Sequence, residues 1–296
     1  MIRTLIRANR KTLIWTAILI IAILAALTVW YKNIYSDPRR VFQAMLENSL
    51  RTTSVTKQVI QGDEVQSLDQ VARLQNGEDH NVQSITTLSQ SGSSSATVVT
   101  ESIGTPTNDF VRYRSIDTDQ RSTDGGDLDF SQVLGVWGNT AASGETTGEL
   151  YNETVLGVIP IGNVPAEDRE KLMEMISELD VYKVEYSNVK RGTVNGRASY
   201  EYTVKVLPEA YVTLLKAYAS AVGLTHLQNI NPASYENSDP IEFKVVVDIM
   251  SHRLAKITYG TGRVENYFAY GNTVPLSLPE ETITVEELQQ RVQSVQ

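Results

Sequence analysis

The sequence predicts an α+β fold: a strongly curved antiparallel sheet, or half-barrel, of about eight to eleven strands, with amphipathic helices on its concave face and one N-terminal transmembrane helix before it. Three observations predict this fold. An uncharged apolar run opens the chain, short segments rich in Val, Ile and Thr recur after it, and helical stripes of apolar residues interrupt them. Each such element has an apolar face that another must cover.

The first element is the uncharged run at residues 13–30. As a helix it would extend about 27 Å, close to the ~30 Å of a hydrocarbon core, so we predict a transmembrane helix over 13–31. Four basic residues and no acidic residue precede it, which predicts a cytoplasmic tail over 1–12 and an extracytoplasmic remainder. We therefore expect an uncleaved signal-anchor in a single-pass protein of the cell membrane. A cleaved signal peptide and a buried helix of a soluble domain are the alternatives.

After a linker at 32–36, we expect one extracytoplasmic half-barrel domain over 37–296. Its first helix begins at Asp37-Pro38, a good N-cap followed by proline at the first helical position. Two more helices are predicted over 166–179 and 208–223. The apolar stripes of the first and third helices are Val41, Phe42, Met45, Leu46 and Leu50, and Tyr211, Leu214, Leu215, Tyr218 and Val222.

The strands follow from alternation and turn residues. A meander is predicted over 55–116, a hairpin over 182–207 and three paired strands over 241–270, of which residues 241–249 alternate most regularly. Residues 117–150 are predicted to form a polar loop, and a polar helix begins near 285. Packing the helices on one face of a curved sheet covers all of these apolar surfaces.

Charge and composition exclude several function classes. The formal net charge is −9, although residues 1–30 carry +4, so the rest of the chain carries −13. Such an acidic domain would be repelled by a phosphate backbone, so no nucleic-acid partner is expected. The chain has no cysteine, which excludes disulfides and thiolate chemistry.

Catalytic and metal-binding patterns are missing from the sequence. His80, His226 and His252 do not have metal-ligand spacing, and no nucleophile elbow, phosphate-binding loop or dinucleotide motif occurs. The acidic run from Asp117 to Asp129 fails the EF-hand pattern, so we expect a solvated loop, with weak Ca²⁺ binding as the alternative. The sequence predicts no enzyme, no cofactor, no metal and no catalytic residue.

The aromatic residues on the helices offer a candidate binding site. Two interpretations of the apolar stripes stay open: they fill a core, or they line an apolar cavity between helices and sheet. The candidate ligand-binding residues under the second interpretation are Phe42, Leu46, Tyr211, Leu214, Leu215 and Tyr218.

Residues 37–280 resemble the LolA/LppX-type lipoprotein carriers of bacteria. The resemblance rests on the helix DPRRVFQAMLENSL, on the antiparallel series interrupted by helices, and on the C-terminal stretch FKVVVDIMSHRLAKITYGTGRVENYFAYGNTVPLSLPEE. It implies a half-barrel that holds lipids or acyl chains and has no universal catalytic residue. The chain departs from the family because it has no cysteine for lipidation; the predicted transmembrane helix would replace that anchor.

Two functions follow from the sequence. The first is a single-pass membrane-anchored extracytoplasmic binding protein for a lipid or other apolar ligand, non-catalytic, which predicts a cavity left after the core is filled. The alternative is a membrane-tethered scaffold or cell-envelope subunit with a fully packed core and a protein partner, which predicts exposed apolar patches. A hydrolase, the third class, would need clustered catalytic groups that the sequence does not show.

Overall fold

The structure is a computed structural model that describes residues 2–31, 35–77, 80–92, 94–123, 125–141, 148–224 and 226–295. Within these ranges it has six α-helices and one sheet of thirteen strands. The helices are α1 (Ile2–Trp30), α2 (Pro38–Leu50), α3 (Glu149–Val155), α4 (Ala166–Glu178), α5 (Pro208–Ala221) and α6 (Val285–Gln293). The strands are β1 (Ser54–Gly62), β2 (Gln66–Asn76), β3 (His80–Gln90), β4 (Ala96–Gly104), β5 (Asp109–Thr118), β6 (Gly138–Asn139), β7 (Tyr182–Val184), β8 (Lys190–Val194), β9 (Arg197–Val206), β10 (Ile241–Asp248), β11 (Leu254–Tyr259), β12 (Val264–Phe268) and β13 (Ile283–Thr284).

The strand order is β13-β6-β5-β4-β3-β2-β1-β12-β11-β10-β9-β7, with β8 paired to β9 beside this path. The α+β character is as predicted, and the large sheet is consistent with a half-barrel. However, eight to eleven strands are too few, and β13 pairs with β6 in parallel, so the sheet is not purely antiparallel. The sequence analysis missed β6 and β13 because each has two residues, too short for alternation to show.

Helix α2 begins at the predicted N-cap and buries the predicted apolar stripe. Asp37 caps the helix: its Oδ1 accepts hydrogen bonds from the backbone N–H groups of Arg39 and Arg40 at 3.0 and 3.1 Å. The buried face of α2 carries the predicted stripe, with Val41, Phe42, Met45, Leu46 and Leu50 all buried. This stripe packs against the sheet and against α4.

The main core lies between one face of the sheet and helices α2 to α5. Alternate residues of the central strands enter it, for example Phe243, Val245 and Val247 of β10. A smaller group of buried residues lies outside the main core: Ile103, Phe110, Val133 and Leu288. The C-terminal helix α6 packs on β6, where Leu288 lies against Gly138.

The predicted transmembrane helix over 13–31 is wrong. In the part of the chain that the structure describes, no helix combines the length and the apolar character that a membrane crossing needs. The residues do form α1, whose apolar side chains from Trp15 to Trp30 are exposed. The membrane anchor, the signal-anchor assignment and the single-pass localisation in the cell membrane are therefore withdrawn.

The chain after α1 contacts the turn between β10 and β11. Tyr35 donates its hydroxyl hydrogen to the carbonyl of Met250 at 2.6 Å, and its ring lies 4.5 Å from the ring of His252. Residues 32–34 of the predicted linker lie outside the described residues. These contacts join the N-terminal segment to the sheet before α2 begins.

Candidate functional site

A groove of about 790 Å³ opens between α3, the start of α5 and strands β1 and β10 to β12. Its volume falls within the roughly 300–1,000 Å³ typical of small-molecule sites. Thirteen residues line it: Lys57, Glu149, Asn152, Glu153, Leu156, Gly157, Val158, Tyr211, Ile241, Tyr259, Thr261, Arg263 and Glu265. We take this groove as the candidate binding site.

One wall of the groove is apolar. Leu156 and Val158 come from the segment after α3, Tyr211 from α5, and Ile241 and Tyr259 from the strands. Ile241 begins β10 and is 48% exposed, so it forms part of the rim. An apolar chain or ring in the groove would be removed from water against this wall, which contributes roughly 25 cal/mol per Å² of apolar surface buried.

Tyrosine hydroxyls hold the segment that carries this wall. Tyr211 donates to the carbonyl of Gly157 at 2.8 Å, Tyr182 to that of Val158 at 2.9 Å, and Tyr218 to that of Ile161 at 2.8 Å. Tyr211 and Tyr218 lie two turns apart on α5 and so face the same way. The hydroxyls satisfy carbonyls of an irregular buried segment, which need a partner wherever a backbone ladder does not supply one.

A buried ion pair forms another part of the groove lining. Lys57 Nζ is 3.4 Å from Glu265 Oε1, and the two side chains are only 6% and 1% exposed. Glu265 also accepts hydrogen bonds from Arg263 Nη2 at 2.7 Å and from the Tyr267 hydroxyl at 2.6 Å. The carboxylate is thus shared by two cations and a hydroxyl.

The pKa values of this pair move in the same direction for different reasons. Burial lowers the pKa of Lys57 below its ordinary value, and the attraction of Glu265 only partly opposes this. Burial opposes ionisation of Glu265, but the charge of Lys57, the Tyr267 hydroxyl and Arg263 together outweigh it and hold its pKa below the ordinary value. The carboxylate is therefore the better compensated partner.

Helix α3 also lines the groove, with Glu149, Asn152 and Glu153. Counted together, the lining residues contain two cations and three carboxylates, so the groove does not favour an anion. Asn152 is 5% exposed, and neither its Oδ1 nor its Nδ2 has a hydrogen-bond partner among the residues that the structure describes. Most buried side-chain amides in folded proteins are satisfied, so this one stands out.

Asp109 supports the start of α3. Its Oδ2 accepts the backbone N–H of Leu150 at 3.2 Å, whereas its Oδ1 is buried without a partner. Burial raises the pKa of Asp109 to about 6; the charges of Glu149 and Glu153 raise it further, against the hydrogen bonds from the backbone of Leu150 and Glu149. The folded protein therefore holds this proton more tightly than the unfolded chain does.

We expect the stability of the protein to depend on Asp109 between pH 4 and 7. A carboxyl group with a raised folded pKa stabilises the fold below its unfolded pKa of about 3.9, and this contribution is lost as pH rises through about 6. After allowance for solvent screening we expect Asp109→Asn to remove about 1–2 kcal/mol of this pH dependence in urea unfolding. Asp117→Asn, at an exposed position of β5, is the control. Equal pH dependence in the wild type and Asp109→Asn would contradict the assignment.

The structure brings only one of the six predicted ligand-binding residues, Tyr211, into this groove. Leu214 and Tyr218 are each 1% exposed and belong to the core, and Leu215 is half-buried on α5. Phe42 and Leu46 are buried on α2, where they border a separate depression of about 550 Å³ beside α4. The six residues therefore do not form one cavity.

Sequence analysis missed the polar part of the groove. Lys57 lies between Val55 and Val59, and Glu265 lies two residues before Tyr267, so both charges occupy inward positions of alternating strands. A basic and an acidic residue at inward positions of two paired strands is a signal that could have pointed here. Asn152 carried no such signal, because α3 is only seven residues long and begins at the end of the predicted polar loop, which covers residues 117–150.

Among the described residues, no three or more His, Cys, Asp or Glu side chains lie close enough together to hold a metal ion. Asp124, within the acidic run proposed for weak Ca²⁺ binding, lies outside the described residues. His80 Nδ1 lies 3.2 Å from the hydroxyl of Tyr151, and that hydroxyl donates to Asn76 Oδ1.

No protein-family model matches the chain, and no protein of curated function is similar to it. The resemblance to LolA/LppX-type carriers therefore stays a prediction. The functional argument rests on the groove itself.

Proposed function

We propose that this protein is a non-catalytic binding protein for a small amphiphilic, lipid-like ligand, which it holds in the groove between α3, α5 and β10 to β12. The observation that carries the proposal is the mixed lining of the groove. The apolar and aromatic side chains of Leu156, Val158, Tyr211, Ile241 and Tyr259 border the same groove as the Lys57–Glu265 pair.

The apolar part of a ligand would lie against the apolar wall, and its polar part against α3 and the ion pair. A purely apolar ligand would leave the buried charges facing it without hydration, which is unfavourable. A strongly polar ligand would gain little from the apolar wall. An amphiphile has an apolar part for the apolar residues of the lining and a polar part for the charged ones. This mixed lining separates the groove from an ordinary surface depression.

We expect Ile241→Glu to weaken binding of an amphiphile at least tenfold. The substitution puts a charge on the apolar rim, while the position is exposed enough that the fold tolerates it. The measurement is isothermal titration calorimetry of the intact chain with a dodecyl amphiphile below its critical micelle concentration. Leu278→Glu is the matched control, because Leu278 is 50% exposed against 48% for Ile241 and lies outside the groove.

Two results would contradict the proposal. One is a wild-type protein that binds no dodecyl amphiphile, and the other is an equal effect of Ile241→Glu and Leu278→Glu. A urea unfolding curve for each variant shows whether a loss of binding follows from a loss of folding.

A specific observation favours a second function, a protein-binding subunit with a packed core. Four apolar residues lie in register across β2 to β5 on the helix-bearing face, beyond the region that the helices cover: Leu68, Leu88, Val98 and Ile116. They are partly exposed, as expected of a surface that a partner covers. Under this function Ile241→Glu would leave the interaction with the partner unchanged, since Ile241 lies in the groove and not in this row.

A further inference from the structure

The amide of Asn152 identifies the polar group of the ligand; this inference rests on the proposed function of the groove as a ligand site. Asn152 lies on the groove side of α3, between Glu149 and Glu153. It is 5% exposed, and within the described part of the chain both its Oδ1 and its Nδ2 lack a hydrogen-bond partner. Two orphan atoms on one buried side chain destabilise a fold, so their presence beside a groove calls for a partner from outside the chain.

The side chain offers one acceptor and one donor next to each other. A ligand group that satisfies both must itself present a donor beside an acceptor. A carboxylate or an ester has acceptors only, and an ammonium group has donors only. A primary amide has both on one edge, in the planar arrangement that pairs with another amide through two parallel hydrogen bonds, whereas the N–H and C=O of a trans secondary amide point to opposite sides.

The charges around the groove favour a neutral group over an anion. Glu149 and Glu153 flank Asn152 on α3, and Arg263 and Lys57 are already engaged with Glu265. An anionic head group would therefore meet carboxylates next to Asn152 without a free cation to compensate them. A neutral amide avoids this repulsion.

We propose that the groove selects amphiphiles with an uncharged amide head group, whose C=O accepts from Asn152 Nδ2 and whose N–H donates to Asn152 Oδ1. The apolar chain of the same ligand lies against Tyr211, Tyr259 and Ile241. Both amide atoms of Asn152 are shielded in the empty groove, so binding includes a rotation of this side chain toward the ligand.

The test compares ligands of equal chain length and different head group by isothermal titration calorimetry of the intact chain. The probes are dodecanamide, methyl dodecanoate, dodecanoate and dodecyltrimethylammonium. We expect dodecanamide to bind about tenfold tighter than the ester, since the second hydrogen bond, from the ligand N–H to Asn152 Oδ1, is available only to the amide. Asn152→Leu, of similar size, is expected to lower the affinity for the amide more than that for the ester, so that the preference for the amide is lost.

Asn81→Leu is the matched control, because Asn81 is buried on β3 with an unpartnered Oδ1 but does not line the groove. Asn152→Ala is a second variant that removes the same amide without adding volume. Equal affinities of wild type for the amide and the ester, or an unchanged amide affinity in both Asn152 variants, would overturn this inference and leave the proposed function standing. Failure of all four probes to bind the wild type would overturn both.

Discussion

Glu265→Gln is expected to lower the free energy of unfolding by about 3–5 kcal/mol, because it leaves the buried Lys57 without a charged partner. Lys57 is 5% exposed and its pKa is already lowered by burial, so the ammonium depends on Glu265 to stay charged. The substitution also weakens the hydrogen bonds from Arg263 and Tyr267, which now end on a neutral oxygen. Equilibrium unfolding in urea at pH 7 measures the loss.

The exposed pair Lys205–Glu242 provides the matched control. Its Nζ and Oε2 atoms are also 3.4 Å apart, but both side chains are 57% exposed. Glu242→Gln should therefore cost less than about 1 kcal/mol. Lys57→Met combined with Glu265→Gln should recover much of the lost stability, since no lone charge then remains buried. A cost for Glu265→Gln no larger than for Glu242→Gln would contradict the buried pair.

Glu265→Gln should also change how the free energy of unfolding depends on pH in the acid range. Glu265 has a lowered pKa in the folded protein, so its contribution is present above its unfolded pKa of about 4.3 and is lost as pH falls through the folded value. Glu265→Gln removes this part of the acid sensitivity. Its unfolding energy should instead rise with increasing pH as Lys57 loses its proton.

Tyr218→Ala is expected to cost about 3–5 kcal/mol of unfolding free energy. Tyr218 is 1% exposed between α5 and the 156–164 segment, and its hydroxyl donates to the carbonyl of Ile161. The variant leaves a cavity and an unsatisfied carbonyl together. Gly162 is packed so closely that an added Cβ would lie 2.4 Å from the Tyr218 hydroxyl, which shows how tightly this side chain is enclosed.

Two further variants separate the contributions of the hydroxyl and of ring burial to this loss of unfolding free energy. Tyr218→Phe keeps the ring and should cost about 1–2 kcal/mol, the value of the hydrogen bond. Leu215→Ala, at a half-buried position of the same helix, should cost clearly less than Tyr218→Ala. A loss below 1 kcal/mol for Tyr218→Ala in chemical denaturation would show that α5 does not pack as described.

The regular elements of the fold could be predicted because their patterns are local. The N-cap at Asp37, the stripes of α2 and α5 and the alternation of β10 are each visible in a window of about ten residues. The pairing of β1 with β12 was not accessible in this way, because it joins residues about 200 positions apart through burial of both strands. An apolar run also does not by itself define its environment, and the transmembrane prediction for α1 failed on this point.

The candidate site was less predictable than the fold. A stripe such as Tyr211 to Tyr218 has the same spacing whether it fills a core or lines a groove, and the structure divides it between both. Tyr211 borders the groove, whereas Tyr218, two turns further along α5, lies in the core. Asn152 and Lys57 line one groove only because α3 packs on the sheet, against β2 to β4, and no local pattern encodes this packing.

The tyrosine hydroxyls that hold the segment after α3 have a consequence for the proposed ligand site. The carbonyls of Gly157, Val158 and Ile161 accept hydrogen bonds from these side chains. A local opening that releases Gly157 or Val158 would therefore break side-chain hydrogen bonds and leave the strand pairings intact. If the groove binds a ligand as proposed, its entrance would widen at the cost of these hydrogen bonds alone, without any change in the sheet.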